Sequence, residues 1–366
     1  MGALKGIRNV KILFGREPPR EVMFAVTNAC NISCRTCAFG KVPRSEQRFV
    51  ATNVLGPVLD HLREGGVRMV SITGGEPLLH PEFLRICQEI DERGMMISYI
   101  ATNGTLLDEA VAHGLSGLNV NIVGLSVDPV DGDGWGITRG LDIERTIPRA
   151  KRLLDDHGIE CYAGVVLGRH TRDVHALMGK IRSWGFTRVI FSYPQVAMAS
   201  SYRAAEDCEF TNISLENAHD LVDAIEAEKR TNPTVSIFNT RVNLEEFLRA
   251  QSGGARLFDC TGGTDQFYLD WNYDLFRCFN DGARLGNMVE LARSTTPLEF
   301  QPHRCQGCTQ QAFLDYASFY HAFGVVRDGV DSIKSLEVGR ALGLLRNERN
   351  RLAVRSLLEA YLGGFV

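Results

Sequence analysis

The stretch "VMFAVTNACNISCRTCAF", residues 22–39, sets a short apolar run directly before three cysteines, Cys30, Cys34 and Cys37. The run 22–27 is brief and rich in strand formers, so it reads as a buried β-strand. The cysteines then fall in the loop at its C-terminal end. The opening residues "MGALKGIRNVKILFG" hold no sustained apolar stretch and no small-residue cleavage site, so no secretion signal is read. That places the ten cysteines of the chain in a reducing, cytoplasmic setting, where clustered cysteines bind metal or do redox work. A zinc site takes four ligands, usually in pairs, and no histidine stands nearby to fill a fourth place. A [4Fe–4S] cube held by three thiolates instead keeps one iron open to a further ligand. The C-x3-C-x2-C spacing points to the second.

Outward from this loop the chain alternates. Apolar runs at 22–27, 69–73, 97–101, 120–127, 161–167 and 189–192 read as strands. Between them, helix-period stretches cover 54–63, 83–93, 107–113, 147–157 and 174–184, with Gly65, Gly94, Gly114, Gly158 and Gly185 at their ends. The expected fold class is α/β, with a parallel sheet, curved or doubly wound, carrying its chemistry at the C-terminal ends of the strands. After Pro194 the alternation stops. A loop is expected over 195–213, helices over 215–230 and 241–250, a β-hairpin in "FYLDWNYDLFRC" (267–278), and helix again from about 334. The 366 residues are 44% hydrophobic with a formal net charge of −4. No basic stripe, no run of 18 apolar residues and no low-complexity segment appear, so neither a nucleic-acid nor a membrane partner is expected.

The second strand ends in "SITGGEPLLHPEF". Paired glycines Gly74 and Gly75 permit close backbone approach to a ligand, and peptide groups beside Glu76 and Pro77 can accept from the ammonium of a zwitterion. With these residues in hand, the chain resembles the radical S-adenosylmethionine (SAM) superfamily across roughly residues 20–195. "CNISCRTC" matches its cysteine loop, with Phe39 near the adenine position, and "GGEP" its methionine-amine motif. "YIATNG" (99–104), "GLSVDP" (124–129) with "TRG" (138–140), and "GVVLG" (164–168) resemble the strand motifs that hold the rest of SAM, which implicates Thr102, Asn103, Ser126, Asp128, Arg139 and Val166. The resemblance implies a partial (β/α)6 barrel whose cluster reduces SAM to a 5′-deoxyadenosyl radical that takes a hydrogen atom from substrate.

Cys260, Cys278, Cys305 and Cys308 form a second group, C-x17-C-x26-C-x2-C. Four thiolates make a zinc ribbon or a fully ligated cluster. Beside a radical SAM barrel the group resembles the twitch domain, the short form of the SPASM extension, which implies a second, auxiliary [4Fe–4S] cluster in a small α+β unit with the hairpin and C-terminal helices. One departure shows: Tyr273 stands five residues before the second cysteine, where the extension often has glycine. The expected division is a radical SAM core over 16–213, linking helices over 214–254 and the twitch-like unit over 255–366.

Only 29 residues precede Cys30, so no leader-binding domain of a peptide maturase is expected. The favoured substrate is a small polar molecule (a sugar, aminocyclitol or nucleoside sugar, as in antibiotic pathways) undergoing oxidation, epimerisation or decarboxylation. An electron donor such as flavodoxin or ferredoxin is implied. The alternatives are a maturase of a ribosomal peptide and, more remotely, a non-catalytic iron–sulfur or zinc module. Cys208, in a loop past the last barrel strand, is the candidate hydrogen-atom donor, and His170, after the fifth strand, the candidate base. Arg169, Tyr193, Gln195 and Arg203 are candidate polar grips. Cys87 and Cys161 read as core packing.

Overall fold

The computed structural model describes Asn9, Ile12 and residues 19–127, 142–168, 171, 173–193, 198–202, 213–300, 308–335 and 337–363. Six strands follow one another side by side and parallel: β1 (Arg20–Ala25), β2 (Val67–Thr73), β3 (Met96–Thr102), β4 (Val123–Val127), β5 (Cys161–Val166) and β6 (Arg188–Ser192). The two-residue β7 (Ser236–Ile237) extends the row past β6. Between strands run α1 (Leu55–Glu64), α2 (Phe83–Glu92), α3 (Glu109–Ser116), α4 (Ile143–Asp156), α5 (Val174–Ser183) and α6 (Leu215–Thr231). This is the expected α/β plan with its parallel core.

Local chemistry sets the helix starts. Asp108, Asp142 and Asp173 each accept the backbone N–H three residues on, from Val111, Arg145 and Ala176. The Asp142 cap starts α4 at Ile143, ahead of the expected 147, while α3 runs through Gly114 to Ser116. Along β1 the pleat alternates. Val22 and Phe24 join the main core with the outer helices, while Met23 and Ala25 face a separate cluster with Tyr268 and Phe276.

The hairpin residues are not set apart from the barrel. β8 (Gln266–Leu269) pairs parallel with β1, and β9 (Asp274–Phe276) and β10 (Arg284–Asn287) add antiparallel strands, giving one ten-stranded sheet in the order β10-β9-β8-β1-β2-β3-β4-β5-β6-β7. At the hairpin turn Tyr273 sits at φ 64, in the left-handed region that favours glycine. Its side chain compensates: the hydroxyl donates to the Ala51 carbonyl at 3.0 Å and the ring lies 5.9 Å from Phe24.

The remaining elements are α7 (Arg241–Gln251), α8 (Met288–Ser294), α9 (Gln311–Lys334), α10 (Val338–Leu344) and α11 (Glu348–Leu362). The 24-residue α9 lies ahead of the helical region expected from 334. It packs along the inner side of the parallel strands. Gln311 meets Ser192 at the end of β6, and Tyr320 packs on Met69 and Met96 and donates to the Pro19 carbonyl at 2.6 Å. No described helix is long and apolar enough to cross a membrane.

Candidate active site

The chain leaves β1 through two residues, Thr27 and Asn28, pinned by the segment that returns after the cysteines. Thr27 Oγ1 donates to the Arg48 carbonyl at 2.6 Å, Asn28 Oδ1 accepts from the Arg48 N–H at 2.6 Å, and Asn28 Nδ2 donates to the Glu46 carbonyl at 3.1 Å. The cysteine loop is therefore closed at its base. Gly40 closes it further on, since a Cβ there would stand 2.1 Å from the Ile32 carbonyl oxygen.

The Gly-Gly-Glu-Pro turn grips this loop. Gly75 N–H donates to the Thr27 carbonyl and Glu76 N–H to the Ala29 carbonyl, both at 2.8 Å. Gly74 has φ 144, and a Cβ on Gly75 would lie 2.1 Å from the Ala29 oxygen. The close approach that needs glycine is thus first an approach to the backbone leading into Cys30. Glu76, 1% exposed, accepts from Leu78 N–H at 3.1 Å, Thr102 Oγ1 at 2.8 Å and Asn103 N–H at 2.8 Å. Its carboxylate ties the end of β2 to the end of β3. Asn103 Nδ2 in turn donates to Asn31 Oδ1 at 2.9 Å, and Asn31 Nδ2 to Thr105 Oγ1 at 2.8 Å. Three successive strand ends are cross-linked around the cysteines. Asn31, Thr105 and Gly40 were missing from the sequence reading; only their nearness to the cysteine and "TNG" motifs marked them.

Cys30, Cys34 and Cys37 line one cavity of about 400 Å³ together with Phe39, Gly74, Gly75 and Glu76. Thr102, Asn103, Ser126 and Val166 line it too, from the ends of β3, β4 and β5. Pro77 lies buried behind, opening the short turn that Glu76 caps. Asp128, Arg139, His170, Cys208 and Cys305, with Arg169, Gln195 and Arg203, lie outside the described residues. Cys87 and Cys161 are buried in the core, as expected, and burial pushes the Cys161 thiol up to about 12.

Burial, with the charges of Glu76 and Cys37 added, raises the Cys30 thiol above its ordinary value. A thiol held protonated in this way ionises when a cation takes the proton's place. Among the described residues no three ligating side chains are already gathered into a closed metal set. The fit rests on donor chemistry: three soft thiols bordering one cavity suit iron–sulfur ligation.

The second group shows the same chemistry. Gly262 N–H donates to Cys260 Sγ at 3.4 Å, Asp281 N–H to Cys278 Sγ at 3.3 Å, and Asn280 Nδ2 and Gln310 N–H to Cys308 Sγ at 3.4 and 3.5 Å. Donors aimed at sulfur favour the thiolate, but at Cys278 burial outweighs them and pushes the thiol up to about 11. Between the two groups stands a short aromatic series: Phe39 lies 4.9 Å from Tyr202, and Tyr202 4.5 Å from Phe279, the neighbour of Cys278. The cavity wall also takes Gln310, which caps α9, and Gln311 and Tyr316 from the helix itself. None of these was singled out from sequence, because the helix that carries them was not expected.

A sequence profile of the Radical SAM superfamily matches residues 24–179. The probable GTP 3′,8-cyclase of Methanocaldococcus jannaschii is 34% identical over 148 residues, 40% of this chain and 49% of that protein. The antilisterial bacteriocin subtilosin biosynthesis protein AlbA of Bacillus subtilis is 28% identical over 171 residues, 46% of this chain and 38% of that protein. The chain spans about half or less of the length of these curated relatives. Among solved structures, Streptococcus suis SuiB bound to S-adenosylmethionine aligns with TM-score 0.58 at 15% identity, covering 76% of this chain and 66% of that one. Native anSMEcpe with bound AdoMet aligns with TM-score 0.58 at 22% identity, covering 75% and 80%. These likenesses are of fold. Strand order, cysteine loop, Gly-Gly-Glu-Pro turn and profile agree: residues 24–179 carry a radical SAM domain, a family that implies SAM and a [4Fe–4S] cluster at the Cys30 loop.

Proposed function

We propose that the chain is a radical SAM enzyme acting on a small polar substrate, a sugar, aminocyclitol or nucleoside sugar, by oxidation, epimerisation or decarboxylation. The observation that carries this reading is the cavity's wall beyond the SAM motifs, where Ser192, Tyr193, Gln311 and Tyr162 present hydroxyls and an amide in a space of about 400 Å³. Such a wall suits a compact ligand rich in hydroxyls and amines. In this reading Cys30, Cys34 and Cys37 hold the SAM-binding cluster, which when bound supplies the electron that cleaves SAM. Glu76 fixes the Asn103 peptide and the turn at Leu78, so that the backbone around SAM is set before the ligand arrives. Phe39 is held edge-on by Tyr202 and by Trp271 at 5.9 Å, which fixes one wall of the adenine position.

Cys260, Cys278 and Cys308, with Cys305, are assigned to an auxiliary [4Fe–4S] cluster in a twitch-like unit over 255–366. Cys208 is assigned as hydrogen-atom donor and His170 as base. The setting is cytoplasmic, with a flavodoxin- or ferredoxin-type reductant. Peptide maturation is the second reading. It is favoured by the match to AlbA, a bacteriocin biosynthesis protein.

The test is anaerobic reconstitution, then incubation with dithionite, SAM and either deuterated aminocyclitols and amino sugars or a panel of precursor peptides. Formation of 5′-deoxyadenosine with deuterium drawn from a ring carbon is the expected result. Deuterium drawn only from a peptide would replace this reading with the second one. Absence of any SAM cleavage in protein holding its full iron would remove both.

A further inference from the structure

Gln311 reaches the cavity from the first turn of α9, and its amide is not free to turn. Nε2 donates to Asp315 Oδ2 one turn along the helix, and Oε1 accepts from Ser192 Oγ at 3.4 Å. Once ionised, the Asp315 carboxylate only accepts, so the nitrogen then faces Asp315 and the carbonyl oxygen is left towards Ser192 and the cavity. Asp315 is wholly buried, and its Oδ1 has no hydrogen-bond partner among the described residues. Tyr193 borders the same cavity, 4% exposed, its ring stacked on Phe247 at 3.6 Å, and its hydroxyl makes no well-formed hydrogen bond among the described residues. Buried polar atoms left in this way are costly. Asp315 lies behind Gln311, outside the cavity lining, whereas Tyr193 lines the cavity, so its hydroxyl beside the amide marks a place that a ligand completes.

We propose that Gln311, positioned by Asp315, is the specificity-determining contact for a donor group on the substrate, an amine in preference to a hydroxyl, with the Tyr193 hydroxyl completing the subsite. The preference for an amine comes from Asp315 behind the amide in its ionised form, which burial delays to about pH 7, so the binding below is measured at pH 8. Lys229 on α6 is the cation that acts on Asp315, and Tyr193 and Tyr316 face it from the end of β6 and from α9 itself. An ammonium on the substrate adds positive charge on the cavity side, where Gln311 offers only its carbonyl oxygen.

The inference rests on the small-polar-substrate reading. Its test is calorimetric binding to reconstituted protein with SAM, using 2-deoxystreptamine and myo-inositol, rings of similar size with and without amines. The parent is expected to bind the amine-bearing ring on the order of tenfold more tightly, as one charge-assisted hydrogen bond gives. Gln311→Met is expected to abolish that ratio. Asp315→Asn is expected to abolish it too, and the double variant to lose no more than either single one, because Asp315 acts through Gln311. Should Asp315→Asn fail to keep parental iron and melting behaviour, Gln311→Met and Ser192→Ala carry the test. Binding of both rings with a ratio unchanged in the variants, or with additive losses, overturns this inference and leaves the substrate reading standing. Binding of neither ring, beside binding of a precursor peptide, overturns both.

Discussion

Cys30, Cys34 and Cys37 share one loop and take their setting from hydrogen bonds made by the ends of β2 and β3, whereas Cys260, Cys278 and Cys308 come from before β8, after β9 and before α9. The first group is a local device on an established sheet. The second exists only once the hairpin has paired with β1 and α9 has been laid along the inner face. Its sulfurs accept from the very segments that make those contacts, Gly262, Asn280, Asp281 and Gln310. The difference teaches that chemistry and stability are separable at the first group and joined at the second.

The sharpest break in that comparison is to remove each group in turn. Replacing the two partly exposed thiols of the first loop, Cys30 and Cys37, together by Ala should abolish SAM cleavage and remove about four irons per chain, while the denaturant midpoint of the metal-free protein stays that of the parent. Cys278→Ala, by contrast, should lower that midpoint even without metal, because it empties a buried position packed between Gly262 and Phe313. Equal midpoints for the two variants would end the distinction.

Next in size is a pH effect on α9. Burial pushes the Asp315 carboxyl from 3.8 up to about 7. The folded chain therefore holds this proton where the unfolded chain has lost it. The contribution to stability is complete below about pH 4, falls as pH rises and is gone above about pH 7. Asp315→Asn should remove that slope and leave the variant more stable than the parent at pH 8 by up to ~4 kcal/mol. Denaturation at pH 5 and pH 8 checks it; an unchanged slope refutes it. A native side chain that costs stability is consistent with a role in binding.

Smaller again is Gly75→Ala, whose Cβ would collide with the Ala29 oxygen and force the turn away from the cysteine loop. A loss of about 3 kcal/mol and of the first group's iron is expected. Gly164→Ala, where the nearest atom is 3.4 Å away, should keep that iron. Smallest is Tyr273→Phe, which removes only the hydrogen bond to Ala51 and should cost about 1 kcal/mol in urea denaturation. A larger cost would mean that the hydroxyl, rather than the ring, maintains the left-handed turn.

What was legible in the sequence was what is local. The strand–helix alternation, the cysteine spacing and the Gly-Gly-Glu-Pro turn all speak through neighbours a few residues apart. α9 was not, because it is buried at 313, 314, 315, 317, 318, 319, 320 and 322, on more than one side, so no polar stripe marks it. The paired glycines were read as room for a ligand, but their nearest neighbour is the backbone at Thr27 and Ala29. The glycine position filled by Tyr273 was visible as a departure. What holds it, a hydroxyl reaching across to Ala51, joins residues 222 positions apart and has no trace in the local sequence.

The pairing of β8 with β1 also sets an order in time. Residues 24–179 leave the ribosome long before Gln266 and Gln311 do. Until then β1 has an open edge and the cavity lacks the wall that α9 brings, so the nascent chain presents an unpaired strand beside three bare thiols. Only the last third of the chain closes both. Synthesis itself thus makes the cysteine loop before the helix that helps to wall its cavity, and a chain that stops short of α9 lacks the part of that wall carrying Gln311 and Tyr316.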